Sequence, residues 1–388
     1  MKNKPLLTIF FIVFIDLLGF GLILPLLPFI ADHFQANPLQ IGILGASYSL
    51  FQFISSPILG RLSDRYGRKR LLVLSQIGSM IGFVLLGVAN SLPLLFLSRI
   101  IDGITGGNIS IAQAYIADIT TNKDRAKGMG VIGAAFGLGF ILGPVAGGLL
   151  FQFGFWAPAF FAAFISLLTV ISTSLFLKET IDTKKTITSR KTQFSLKEFK
   201  NVFSSQPMGI LIITFFFINF AFSGLQGMFA LWTQVTLNWG PLQNGYIFAY
   251  IGVLAVITQL KILPFLISKY GEQNILIASI PIMALGFFFI PFAPMFFGVL
   301  LIANALLVVG NSLANPTIQA IASESVDKED YGGTLGFLQS SASFGRILGP
   351  VVAGELFYVV GKDVPFYSSG IVLLATFIFI KTKLRRTK

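Results

Sequence analysis

Apolar residues arrive in this chain in blocks of twenty or more, parted by short stretches rich in Gly, Pro, Asn and charge. About twenty residues of helix cross the roughly 30 Å hydrocarbon core of a bilayer. The blocks therefore dictate a polytopic, all-α membrane protein. Charge content agrees, because only 11% of the 388 residues are charged against about 25% in a soluble domain. The first block, in MKNKPLLTIFFIVFIDLLGF, imitates a secretion signal. It runs on to about residue 30, contains Asp16 and lacks a small-residue cleavage site, so it reads as a retained first span.

Breaks in hydropathy give twelve spans, with approximate limits 6–30, 40–62, 71–90, 93–117, 127–153, 156–178, 208–236, 242–267, 274–292, 294–322, 331–360 and 364–382. Sidedness follows from the basic residues. Of 28 lysines and arginines, 24 fall in the N-terminus, the C-terminal tail and the alternate loops on the same side. Arg99, Lys261 and Arg346 lie within spans, and Lys362 lies on the opposite side. Such a positive-inside bias puts both termini in the cytoplasm of a multi-pass cell (inner) membrane protein. The net charge of +12 is then topogenic and lipid-facing. RYGRKR is juxtamembrane, which argues against a nucleic-acid partner. The chain has no cysteine, so disulfides, thiolate nucleophiles and cysteine metal sites are excluded. Its single histidine, His33, reads as a solvated loop residue, and no metal site is expected.

The chain also repeats itself. Residues 139–151 read GFILGPVAGGLLF and residues 345–357 read GRILGPVVAGELF, agreeing at 9 of 13 positions at an offset of 206. At the same offset Gln113 matches Gln319, Asp118 matches Glu324, and Asp124 matches Asp330. Both copies run from the end of one span through a cytoplasmic loop into the next, which requires an even number of spans per repeat. Six fits. The expected organisation is two pseudo-symmetric six-helix halves, residues 1–178 and 207–388, joined by a basic cytoplasmic linker at 179–206. Transporters built from such repeats bind at the interface of the halves.

Two motifs sharpen the expectation. Gly60-Arg61-Leu62-Ser63-Asp64-Arg65-Tyr66-Gly67-Arg68-Lys69-Arg70 joins spans two and three. Gly60 and Gly67 suit close helix approach and a tight turn, and Asp64 can accept hydrogen bonds from an exposed helix N-terminus. The string resembles the loop signature G-x-L-[AS]-D-[RK]-x-G-R-[KR] of the major facilitator superfamily. That resemblance implies a cytoplasmic latch between the halves, made by Gly60, Asp64, Arg65, Gly67 and Arg68. Span five carries Gly139-x-x-x-Gly143-Pro144-x-x-Gly147-Gly148. Small residues at four-residue spacing permit close helix packing, and proline loosens the helix. The string is similar to the G-x-x-x-G-P-x-x-G-G motif of the superfamily's drug/proton antiporters. Asp16 to Pro25 in span one and Leu95 to Gly103 in span four are similar to further patterns of that branch. Gln259 and Lys269 to Glu272 look like the end of span eight in tetracycline-efflux proteins. Asp102 and Lys261 depart from the pattern.

Charges inside the membrane are expensive and normally serve a pathway. Asp16 lies near mid-depth, Arg99 and Asp102 share a face of span four, and Arg346 is near mid-depth in span eleven. Arg99 and Asp102 read either as a neutralised pair or as part of a proton pathway. Asp16, Asp102 and Arg99 are the candidates for proton coupling. Arg346, Gln113, Gln226, Asn311 and Gln339 are the candidates for substrate pathway or gating. Gln52, Asn108, Asn219 and Gln234 also suit a cavity, and Glu355 reads as reaching the outer interface.

The resemblance implies proton-coupled efflux, by alternating access, of an amphipathic small molecule such as a drug or tetracycline-like compound. It implies a monomer that uses the proton gradient and no cofactor. An exporter of an endogenous metabolite, siderophore or lipid is the alternative, and a scramblase or membrane enzyme stands outside transport. No phosphate loop, nucleophile motif or histidine/carboxylate cluster speaks for an enzyme.

Overall fold

The computed structural model describes residues 4–120, 125–181, 208–324 and 331–384. Among them the backbone is helical with no strand, as a chain that must satisfy its own amides in lipid requires. Among these described residues eleven helical spans are long and apolar enough to cross a membrane. They are Ile9–His33, Pro38–Tyr66, Arg68–Gly87, Leu92–Ile119, Ile132–Phe153 and Trp156–Phe176, then Met208–Leu237, Pro241–Tyr270, Glu272–Met295, Phe297–Glu324 and Val364–Lys383. Span eleven, the 29-residue helix Tyr331–Val359, completes the twelve. It is less apolar because Gln339, Ser340, Ser341, Ser343, Arg346 and Glu355 interrupt it. Most of the linker, and the matched pair Asp124 and Asp330, lie outside the described residues.

Three departures from regular helix matter. Span four breaks at Gly106–Gly107 into Leu92–Thr105 and Asn108–Ile119. Neighbouring side chains take up the carbonyls exposed there. Gln52 Nε2 donates to Gly106 O at 2.9 Å and Ser55 Oγ donates to Gly103 O at 3.0 Å. Gln52 is thus committed to the fold. Span eight carries a π-helical turn at Thr258–Ile262, and exposed Lys261 sits on it. The string from Gly60 to Arg70 is scarcely a loop: helix Pro38–Tyr66 runs through Tyr66 and the next helix begins at Arg68. Gly67, with φ +107°, reverses the chain in a single residue.

The chain forms two compact units. The first holds Met1–Ala36, Ser47–Ser189 and Asn238–Gly252. Its core gathers Ile9, Ile12, Leu72, Ile111, Ile116 and Ala135 from spans one, three, four and five. The second holds Asn37–Ala46, Arg190–Leu237 and Val253–Lys388. There Trp232 and Phe366 are buried edge to face at 5.5 Å, and Trp232 Nε1 donates to Asp363 Oδ1 at 2.7 Å.

Within each unit one helix presents two bare stripes. In span five, a Cβ added to Gly143 would lie 2.8 Å from Gly21 C and Leu22 N, and one on Gly139 would lie 2.9 Å from Leu17 Cβ. Gly147 meets Leu22 O in the same way. On a second stripe Pro144 O backs against Gly245, and Gly148 against Pro241 and Leu242. Span eleven repeats this in the second unit: Gly345 and Gly349 lie on Phe216, Phe220 and Gly224, while Pro350 and Gly354 lie on Gly42 and Pro38. Without side chains between them, backbones pack directly, which is how helices associate in lipid.

Candidate functional site

Spans one, three and four of the first unit bring together a set of polar groups in an otherwise apolar bundle. Arg99 and Asp102, one turn apart on span four, form an ion pair at 3.2 Å with side chains only 5% and 4% exposed. The Arg99 guanidinium also lies 5.7 Å from the centre of the Phe83 ring on span three. Ser79, from the same helix as Phe83, faces the Asp102 carboxyl. Close approach of spans three and four is what makes this possible. A Cβ on Gly82 would sit 2.9 Å from Asp102 Cβ, and one on Gly78 would strike Thr105.

Asp16 enters from span one. Gln76 of span three and Asn108 of span four adjoin its carboxyl, and Asp102 is near enough to act on it electrostatically. Asp16 therefore has a charged neighbour on another helix, although its own helix supplies none. Asp16 Oδ2, Arg99 Nη2, Asn108 Oδ1 and both amide atoms of Gln76 are shut off from solvent without a well-formed hydrogen bond. Buried polar groups are ordinarily satisfied. Four such atoms lie on or beside the Asp16 carboxyl and the fifth is on the partner of Asp102, an arrangement that suits a place where protons or ligands are exchanged.

Other candidates lie apart from this cluster. Gln113 is exposed on span four. In the second unit, Arg346 Nη2 donates to Ser343 Oγ at 2.8 Å and Nη1 to Asn219 Oδ1 at 3.4 Å. Asn311 Oδ1 accepts from Asn315 Nδ2 at 2.7 Å, which starts a polar row on span ten. Gln226 is half-buried, while Gln339 and Glu355 are exposed. Gln76, Ser79 and Asn315 were not singled out by sequence reasoning. The signal for the first two was their spacing with Phe83 on one face of span three.

The Major Facilitator Superfamily model matches residues 9–296 and 262–388. The chain belongs to the major facilitator superfamily. Tetracycline resistance protein, class H, from Pasteurella multocida is 32% identical over 354 residues, covering 90% of this chain and 88% of that protein. Multidrug resistance protein 2 from Bacillus subtilis (strain 168) is 30% identical over 376 residues, covering 95% and 93%. The solved nucleoside transporter NupG shares the fold, with TM-score 0.78 at 18% identity over 99% of each chain. The human organic anion transporter MFSD10 does so with TM-score 0.73 at 24% identity over 98% and 99%. Like these relatives, the chain is a multi-pass membrane protein of the superfamily, all-α in fold.

The superfamily's loop signature takes two corrections. Gly60 does not serve close helix approach, since a Cβ there would meet nothing within 4 Å. Asp64 does not cap the helix that follows; it pairs with the Arg68 side chain, four residues on. The cap comes from Glu179, whose Oε1 accepts from the backbone N–H of Arg68 at 2.7 Å and of Lys69 at 3.4 Å. A Cβ on Gly67 would strike that same carboxylate. Arg68 further pairs with Asp118 at 3.1 Å, and Lys69 Nζ donates to Ser174 O at 2.7 Å. Arg65 is exposed and lies 5.4 Å from the centre of the Tyr66 ring. Glu179→Ala is expected to cost about 0.5–1 kcal/mol, as for other lost helix caps. Melting of the purified protein should fall by a few degrees, and an unchanged melt would refute the cap.

Proposed function

We propose that this chain is a secondary active transporter that exports an amphipathic small molecule of the tetracycline or multidrug type in exchange for protons. The observation that carries the reading is the cluster around Asp16: two buried carboxyls, one arginine and unsatisfied amides inside an apolar bundle. A cluster with one arginine for two acids has reason to hold a proton in one state and release it in another. Relatives named for tetracycline and multidrug resistance support the substrate class. Asp16 is the proposed carrier, Asp102 and Arg99 its modulators, and Arg346 a pathway or gating group. The proton gradient is the energy source, with no cofactor and no enzymatic step. We further place both termini in the cytoplasm of the cell (inner) membrane, with a monomer as the working form. The two six-helix halves are the bodies that alternate, and the Gly60 to Arg70 segment is their cytoplasmic latch.

The test uses inverted membrane vesicles, energised so that a pH gradient forms. Tetracycline is expected to collapse the gradient where the protein is present and to leave it intact with Asp16→Asn. Collapse of equal size with Asp16→Asn would move proton coupling to another residue.

A further inference from the structure

Gln76 is fully buried, at 0% exposure, and both of its amide atoms lack a well-formed hydrogen bond. A glutamine retained for the fold has a fixed partner, as Gln52 has in Gly106 O. Gln76 instead adjoins the Asp16 carboxyl, whose Oδ2 is equally open. Span three contributes nothing else of this kind at that depth. Its neighbours Gly78, Ser79 and Gly82 are small and bring span four up to it. The charged group that reaches Asp16 is Asp102 of span four, which is itself paired with Arg99 of the same helix. Spans three, five and six carry none in their membrane-embedded stretches.

A primary amide matches a carboxyl in both of its states. Its N–H donates to the carboxylate, and its oxygen accepts from the O–H of the protonated acid. We propose that Gln76 is a positioning residue for Asp16, turning its amide over as the proton comes and goes and thereby setting the pH at which span one exchanges it. This rests on Asp16 as the proton carrier. Hydrogen bonds to charged groups are the stronger kind, so loss of the amide harms the carboxylate more than the acid.

Gln76→Leu is therefore expected to move the titration of Asp16 upward by about one pH unit. The measurement is infrared difference spectroscopy of the purified full-length protein, following the protonated-carboxyl band that disappears in Asp16→Asn. If Gln76→Leu does not accumulate, Gln76→Met removes the amide at nearly the same length. An unmoved midpoint overturns the proposal, as does a lower melting temperature with an unmoved midpoint, which marks a merely structural role. Absence of any Asp16 band across roughly pH 4 to 10 overturns it as well. No drug is added, so a chain that ignores tetracycline can still pass this test. Conversely, an unmoved midpoint in a chain that still couples tetracycline to protons removes only the role of Gln76.

Discussion

Gly143→Val is expected to leave almost no folded protein in the membrane. The reason lies in what an added Cβ would meet. At Gly143 it would come within 2.8 Å of Gly21 C and Leu22 N, atoms of the backbone of span one. A side chain can swing away from such a contact, but two packed helices must separate. Overpacking of a rigid site costs about 1–3 kcal/mol or more, and parting these helices also opens the neighbouring contacts of Gly139 and Gly147. Gly143→Ala should melt well below the parent, and Gly143→Val should fail to accumulate. Gly133→Ala is the control on the same helix, since its Cβ would meet nothing within 4 Å, and it should behave like the parent. Quantifying the monodisperse peak from detergent-solubilised membranes decides the matter. A normal peak for Gly143→Val would mean that spans one and five are not in backbone contact.

Arg99→Ala carries the second large effect, because it strands a carboxylate. The guanidinium and the Asp102 carboxyl are both buried and 3.2 Å apart. Removing one partner of such a pair typically costs about 3–5 kcal/mol, whereas replacing both by apolar groups is often neutral or stabilising. Arg99→Ala alone should lower the melting temperature strongly and bring transport of tetracycline to background. Arg99→Leu combined with Asp102→Leu should recover the melting temperature while transport stays at background. That split separates the pair's structural role from its functional one, and with Arg99→Leu and Asp102→Leu also measured singly the double-mutant cycle gives the coupling energy. A single Arg99→Ala protein that melts like the parent would show that the pair adds nothing to stability.

The membrane character, the spans and the superfamily were legible in the sequence because each depends on local composition or on adjacent residues. Span limits read from hydropathy lie within a few residues of most of the helices, although some helices run on past them. What stayed hidden depends on contacts between distant residues. Glu179 caps span three across a separation of 111 residues, so Asp64, closer in sequence, looked the better cap. Gln76 is one amide in an apolar run and gains meaning only when Asp16 and Asn108 arrive from other helices. The break at Gly106–Gly107 was hidden because glycine is common in membrane helices. Gln52 looked like a cavity residue and proved to be the partner of that break.

The paired stripes on spans five and eleven have a consequence for how two copies of one helix diverge. At about 100° per residue, Phe140 and Arg346 point between the two stripes, while Leu149 and Glu355 point away from both. Phe140 and Arg346 thus face side chains of the docked helices, the Phe20 ring at 6.2 Å in one copy and Asn219 Oδ1 at 3.4 Å in the other, while Leu149 and Glu355 are exposed. Drift in the glycines is arrested by collision, and drift elsewhere on the helix is free to alter chemistry. Two copies of one ancestral bundle can in this way keep identical seams while acquiring different electrostatics, with no helix having to move.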